Sequence, residues 1–165
     1  MRNCVWLAIP LLVWSVSAVA QEQSGSHFPE STLPLEAWNV LQSNISIVTR
    51  VRDFPESMRT ALAKALRQDK LEMGDRDHDV KPRCPDCVAF RLIFGGVSPE
   101  GCFVHYSATG FAPSFNIIVF DTVGQEVPRA IWRARGNPAS NLDELRSLIA
   151  EGKFHSYHLP KSPSR

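Results

Sequence analysis

Four strand-like runs in the second half of the chain constrain the fold more than any other feature. β-branched and aromatic residues are concentrated in these runs, and glycine, proline and serine separate them. The runs are Val88–Phe94, Cys102–Tyr106, Phe115–Asp121 and Pro128–Arg135. Connections this short join antiparallel neighbours, because a parallel crossover needs a dozen or more residues. The pattern predicts a four-stranded meander, to which Phe154–Leu159 adds an edge strand.

The third run is apolar at successive positions from Phe115 to Phe120, which predicts a central strand buried on both faces. For the first two runs, pairing Phe94 with Cys102 across a glycine-containing loop gives one consistently apolar face. In that register Cys102 faces the core as a small buried hydrophobe.

Apolar residues at helical spacing predict up to three helices. A short first helix carries Leu35, Trp38 and Leu41, and a β-rich run over Ile45–Arg52 follows it. The second helix begins after Pro55, where proline suits a helix start, and ends at Gly74. The stripe of this helix consists of Met58, Ala61, Leu62, Ala65 and Leu66.

The last helix opens with a capping pair, Asn141 and Glu144, and ends at Gly152. Together the elements predict an α+β fold: one domain over residues 31–160, a sheet of four to five antiparallel strands, and two to three helices packed on one face.

The first 20 residues are typical of a cleaved secretory signal peptide. Arg2 supplies the positive charge, Val5–Val16 is apolar, and small residues at Ala18 and Ala20 precede the expected cleavage before Gln21. We therefore expect a protein exported to the periplasm or secreted, with no stable membrane anchor. Residues 21–30 are expected to form a flexible arm, and residues 161–165 a disordered tail.

Charge narrows the range of partners. Removing Arg2 lowers Lys plus Arg from 18 to 17, which equals the 17 Asp plus Glu, so the mature formal charge is zero. A domain that binds nucleic acid is usually basic overall. We expect a protein partner rather than nucleic acid, and composition leaves the oligomeric state open.

Three cysteines remain after cleavage, and an oxidising compartment favours closing one pair. The string Cys84-Pro-Asp-Cys87 followed by Cys102 and His105 has the ligand types and spacings of a zinc site. In the predicted register, however, Cys102 lies roughly 23 Å along the sheet from Cys87, beyond shared ligation or a disulfide. The sequence therefore predicts a Cys84–Cys87 disulfide and a leftover thiol at Cys102, with no metal site.

The segment before this pair alternates carboxylates, Asp75, Asp77 and Asp79, like the opening of a calcium loop. Val80 stands where such a loop needs glycine, and basic residues oppose the charge, so we interpret the segment as a polar loop. A loop stiffened by a disulfide and prolines costs little to order on a partner. The candidate contacts in the loop are Asp77, His78, Asp79, Lys81 and Arg83.

In this arrangement the loop is similar to that of periplasmic lysozyme inhibitors, small exported α+β proteins in which a short cysteine-closed loop enters an enzyme cleft. The similarity covers about a dozen residues, and His78 lies outside the cysteine pair. It implies inhibitor-like binding and does not identify a family.

Alternation along the last run predicts a basic sheet face of Arg129, Arg133 and Arg135. This pattern is typical of a charged edge strand that resists pairing, and it would equally serve as a partner-binding face. No motif of a serine hydrolase, zinc protease or phosphate-binding loop occurs, so no catalytic residues and no cofactor are predicted.

The preferred function is a non-enzymatic exported binding protein of the inhibitor or immunity type. The alternatives are a thiol-disulfide or metal-dependent enzyme using Cys84 and Cys87, and a structural protein of the cell envelope.

Overall fold

The computed structural model describes residues 33–77, 88–109 and 112–157. Within these ranges the chain forms three α-helices, seven β-strands and a 3₁₀ turn at Val51–Asp53. The helices are α1 (Leu35–Gln42), α2 (Glu56–Ala65) and α3 (Leu142–Ala150). The strands are β1 (Ser46–Val48), β2 (Met73–Gly74), β3 (Ala89–Val97), β4 (Gly101–Thr109), β5 (Ser114–Asp121), β6 (Arg129–Gly136) and β7 (His155–Ser156). The residues predicted to form a signal peptide, a flexible arm, the Cys84–Cys87 disulfide and a C-terminal tail lie outside the described residues.

The described strands form one sheet in the order β1-β3-β4-β5-β6-β7, with β2 beside β3. The four long strands coincide with the four predicted runs and pair as an antiparallel meander, as expected. β5 lies inside the sheet, which confirms its predicted central position. The predicted count of four to five strands is wrong, because short β1 and β2 both pair with β3 and extend the sheet to seven.

Helices cover both faces of this sheet, so the prediction that they pack on one face is wrong. α1 and α3 pack against the face that carries Phe103 and Ile117. α2 packs against the opposite face, which carries Val104 and Ile118. Because β4 and β5 place apolar side chains on both faces, each face needs a helix to exclude water.

The β3–β4 pairing differs from the predicted register by three residues at Cys102 and by two residues beyond the bulge, at Leu92. Cys102 lies opposite Val97 rather than Phe94, since β3 continues through Gly95 and Gly96 and bulges between Leu92 and Phe94. The two glycines are not turn residues. A Cβ on Gly95 would lie 2.3 Å from the ring of Phe54, and one on Gly96 would lie 2.2 Å from Ile45. Glycine here permits close packing over the strand.

α2 ends nine residues before the predicted stop at Gly74. Its C-cap is Leu66, and Arg67 follows with a positive φ of 58°. The amide of Gln68 donates to the carbonyl of Ala63, as in a Schellman motif. Gly74 instead belongs to β2. No helix within the described ranges is long and apolar enough to cross a membrane.

α3 follows its prediction closely. The Asn141 side chain accepts a hydrogen bond from the amide of Glu144 at 2.9 Å, and Gly152 has a positive φ of 69° after the last turn. The Glu144 carboxylate accepts from the amide and hydroxyl of Ser140, and these bonds lower the pKa of Glu144. Local capping signals therefore located both ends of this helix.

Candidate functional site

A cleft opens at the end of the sheet face that α2 leaves uncovered. The helix packs over the middle of this face and ends at Ala65. Beyond that point Phe90 and Arg133 are half-buried and Arg135 is exposed, whereas Tyr106 and Asn116 beneath them are buried. The cleft has a volume of about 310 Å³. Its lining includes the aromatic residues Phe90, Tyr106 and Tyr157 and the arginines Arg67, Arg133 and Arg135.

Strand register positions the floor of the cleft. Tyr106 of β4 lies opposite Asn116 of β5, and Asn116 lies opposite Arg135 of β6. Directly opposed residues on one face lie close enough for their side chains to interact. The three side chains therefore form a row across the sheet that runs from an aromatic ring to a guanidinium group.

Arg133 lines the side of the cleft where the sheet meets α2. Its Nη1 donates a hydrogen bond of 2.9 Å to the carbonyl oxygen of Ala65, in the last turn of the helix. Helix C-terminal carbonyls lack intrahelical donors and carry partial negative charge, which a cation satisfies. The contact fixes the Arg133 side chain at the edge of the cleft, half-buried.

Arg135 lies farther out and is exposed. Its guanidinium carbon stands 5.9 Å from the centroid of the Tyr157 ring, within the range of a cation–π contact. The Tyr157 hydroxyl lies 3.4 Å from that of Tyr106. Burial and the neighbouring Tyr157 raise the pKa of Tyr106, and the two arginines lower it by less, so Tyr106 stays a neutral phenol.

The charge that lines the cleft has one sign. Within the part of the chain that the structure describes, its lining contains three arginines and neither aspartate nor glutamate. Among the described residues, no ion pair with a carboxylate involves Arg133 or Arg135. Arginine presents a planar fork of donors that matches a carboxylate. Chemically, the cleft can hold an anion next to an aromatic surface.

Arg67 enters the lining through an unusual backbone conformation. Its φ of 58° lies in the left-handed region, which glycine favours at a helix C-terminus. A non-glycine residue there costs about 1 kcal/mol or more. Such residues are concentrated at functional sites, and Arg67 lies on the rim of this cleft.

The structure separates Arg129 from the other two predicted arginines of β6. A bulge opposite Val119 and Phe120 inserts Ile131 and changes the alternation along the strand. Arg129 then lies 3.9 Å from the Asp121 carboxylate, outside the cleft. The basic surface therefore consists of Arg133 and Arg135, with Arg67 contributed by the residues that follow α2.

Of the predicted loop contacts, Asp77 is described and is exposed, whereas His78, Asp79, Lys81 and Arg83 lie outside the described residues, as do Cys84 and Cys87. Asp75 accepts a hydrogen bond of 2.6 Å from the amide of Val51. After residues 78–87 the next described residue is Val88, which lines the cleft. The predicted loop and the cleft are thus adjacent in the chain.

Cys102 and His105 belong to opposite sides of the sheet. Cys102 is a free, buried thiol 2.9 Å from the sulfur of Met58, and burial raises its pKa to about 12. His105 packs between Phe94 and Phe154 on the other face. A zinc site that shares both side chains is therefore excluded, and no cluster of potential metal ligands occurs among the described residues.

His105 is held by two backbone groups. Nδ1–H donates to the carbonyl of Asn116 at 3.0 Å, and Nε2 accepts from the amide of Ala139 at 3.2 Å. Burial lowers its pKa to about 4, against smaller opposing effects of the Asn116 bond and Glu144. The imidazole is therefore neutral at physiological pH and has a structural role.

Sequence reasoning did not assign Arg67, Asn116 or Tyr157 to a site. Arg67 follows α2, Asn116 lies in β5 and Tyr157 follows β7, and these distant parts of the chain meet only in the folded protein. The alternation of Arg133 and Arg135 was the signal available in the sequence.

No protein-family model, curated protein or solved structure matches this chain.

Proposed function

We propose that this chain is an exported binding protein without enzymatic activity, periplasmic or secreted, of the inhibitor or immunity type. Its partner is a protein with an acidic surface. The cleft lined by Arg67, Arg133 and Arg135 (the arginine cleft) makes the principal contact with this partner. The Asp77–Arg83 part of the loop supplies a second contact. A Cys84–Cys87 disulfide stiffens that loop and lowers the entropy lost on binding.

The observation that carries the proposal is the charge of the cleft. Arg133 and Arg135 line an open concave surface, and no carboxylate among the described lining residues neutralises them. A chain whose mature formal charge is zero thereby concentrates positive charge at one place. Local charge of this kind steers association with an acidic partner and disfavours basic ones.

Aromatic side chains support the same conclusion. Phe90 and Tyr106 pack edge to face with centroids 5.9 Å apart, and Tyr157 lies under Arg135. Tyrosine and arginine are enriched among the residues that dominate protein interfaces. Their combination in one cleft favours partner binding over a solvated surface.

The proposal is tested by capture of proteins from an extract of the exporting cells, with the mature chain immobilised. Arg135→Glu reverses a charge in the cleft, and Arg129→Glu reverses an exposed charge on the same strand outside it. We expect Arg135→Glu to lower the captured amount of a discrete partner by about tenfold or more, and Arg129→Glu to leave it within about twofold. Equal capture by wild type and Arg135→Glu, or equal losses in both variants, would overturn the proposal.

A further inference from the structure

The volume and the lining residues of the cleft restrict the chemical groups that can bind in it. This inference deepens the proposed function and rests on the same cleft. A volume of about 310 Å³ lies at the lower end of ligand cavities. It accommodates a single side chain or chain end rather than a folded element of the partner.

The two arginines of β6 that line the cleft favour a carboxylate as the bound group. Arg133 donates from Nη1 to the Ala65 carbonyl, Arg135 lies over the Tyr157 ring, and both arginines line the cleft. The two arginines lie on one side of β6 at alternate positions. A carboxylate that enters the cleft beside them accepts charge-assisted hydrogen bonds from their guanidinium groups, and the bond to Ala65 already orients that of Arg133.

The floor favours an aromatic ring beside that carboxylate. Phe90 is half-buried and offers its ring to the cleft, and the buried Tyr106 packs edge to face beneath it, with centroids 5.9 Å apart. Offset or edge-to-face contacts between rings stabilise a complex beyond the area that they bury. Asn116 lies between Tyr106 and Arg135, at the boundary of the apolar and charged parts.

We infer that the cleft takes a carboxylate carried next to an aromatic ring. The shared chemistry has two sources in a protein partner: a chain that ends in an aromatic residue, or an acidic side chain beside an aromatic one. Both place an anion and a ring within one residue of each other, and the cleft places the rings of Phe90 and Tyr157 in the same lining as the arginines.

Small probes test the inference on the full mature chain by NMR titration. N-acetylphenylalanine carries both groups, its amide lacks the charge, and N-acetylalanine lacks the ring. We expect N-acetylphenylalanine to shift the Phe90, Asn116 and Tyr157 signals saturably, and each of the other two to bind at least about tenfold more weakly. Equal binding of either incomplete probe, or no saturable shift with N-acetylphenylalanine, would overturn the inference.

Two variants confirm where the probe binds. Arg135→Gln removes one guanidinium from the cleft and is expected to weaken binding of N-acetylphenylalanine by about tenfold, whereas Arg129→Gln leaves it unchanged. Equal effects of both variants would overturn the inference. N-acetyl-aspartyl-phenylalanine amide then separates the two sources. Tighter binding of this probe assigns the anion to an acidic side chain, and weaker binding assigns it to a chain end.

The outcomes also separate this inference from the proposed function. Probe binding without any protein captured through Arg135 would retain the cleft chemistry and contradict a protein partner. Capture that depends on Arg135, with no binding of the probe, would retain the partner and contradict the chemistry inferred for its anchor.

Discussion

The Nη1 of Arg133 lies 2.9 Å from the carbonyl oxygen of Ala65, so a side chain of the sheet caps the C-terminal turn of α2. These residues are 68 positions apart in the chain. The contact joins β6 to the helix that covers its face, and it shapes one wall of the cleft. Stability and the shape of the candidate site are therefore coupled at Arg133.

Arg133→Ala is expected to lower the free energy of unfolding by about 1.5 kcal/mol, because the Ala65 carbonyl loses a charged, half-buried donor. Urea denaturation measures this loss. The control is Arg129→Ala. Arg129 is on the same strand but is exposed, 3.9 Å from the Asp121 carboxylate, so this variant should change the free energy of unfolding by less than about 0.5 kcal/mol. Equal effects of the two variants would contradict the capping role.

Arg67→Gly is expected to be more stable than Arg67→Ala by about 1 kcal/mol, because glycine adopts a positive φ without a Cβ penalty. Both variants lose the same side-chain interactions, so the comparison isolates the backbone. Thermal or urea denaturation of the pair measures the difference. Equal stabilities would mean that the left-handed conformation at Arg67 carries no strain.

Stability should fall as acid protonates His105. Its pKa is about 4 in the fold and 6.5 for the free side chain, so the native state binds fewer protons. The contribution is complete above pH 6.5 and is lost as the pH falls from 6.5 towards 4. Between neutral pH and about pH 5 we expect a loss of about 2 kcal/mol.

His105→Gln serves as the control for this loss, since glutamine does not titrate in that range. Urea denaturation at several pH values should show a shallower pH dependence for the variant. As a second measurement on the wild type, imidazole nitrogen shifts should report a neutral Nδ1–H ring at about pH 5.5. A protonated ring at that pH would contradict the structural role of His105.

The long strands were predictable because their signals are local. Alternating and continuous apolar runs between turn residues located β3 to β6 and their antiparallel order, and capping residues located α3. Where local signals conflicted with tertiary packing, the prediction failed. Gly95 and Gly96 have the composition of a turn, yet they lie in β3 because Phe54 and Ile45 pack directly above them.

The candidate site was less predictable than the fold. β2 is two residues long and pairs with residues of β3 that are distant in the chain. A strand this short has no periodicity in the sequence by which it could be predicted. The bulge at Ile131 divides three arginines that strict alternation would group together. Arg67 occupies a position where glycine would have marked the end of α2. These features depend on contacts between distant segments.

Cys102 should resist alkylation in the native protein, because it is 2% exposed and burial raises its pKa to about 12. Iodoacetamide treatment of the purified chain, followed by intact-mass measurement, checks this prediction. With the proposed Cys84–Cys87 disulfide and cleavage after Ala20, denaturation without reductant should expose a single thiol. Three alkylated thiols would contradict the disulfide, and rapid native alkylation would contradict the burial of Cys102.

Photo-crosslinking from the cleft tests the central claim most directly. A benzophenone amino acid at Val88 lies in the lining of the cleft, and one at Val123, also exposed, lies in the turn after β5. Irradiation in an extract of the cells that produce this chain should join Val88 to one discrete protein, with no such product from Val123. Equal products from both positions, or none from Val88, would contradict a partner-binding role for the arginine cleft.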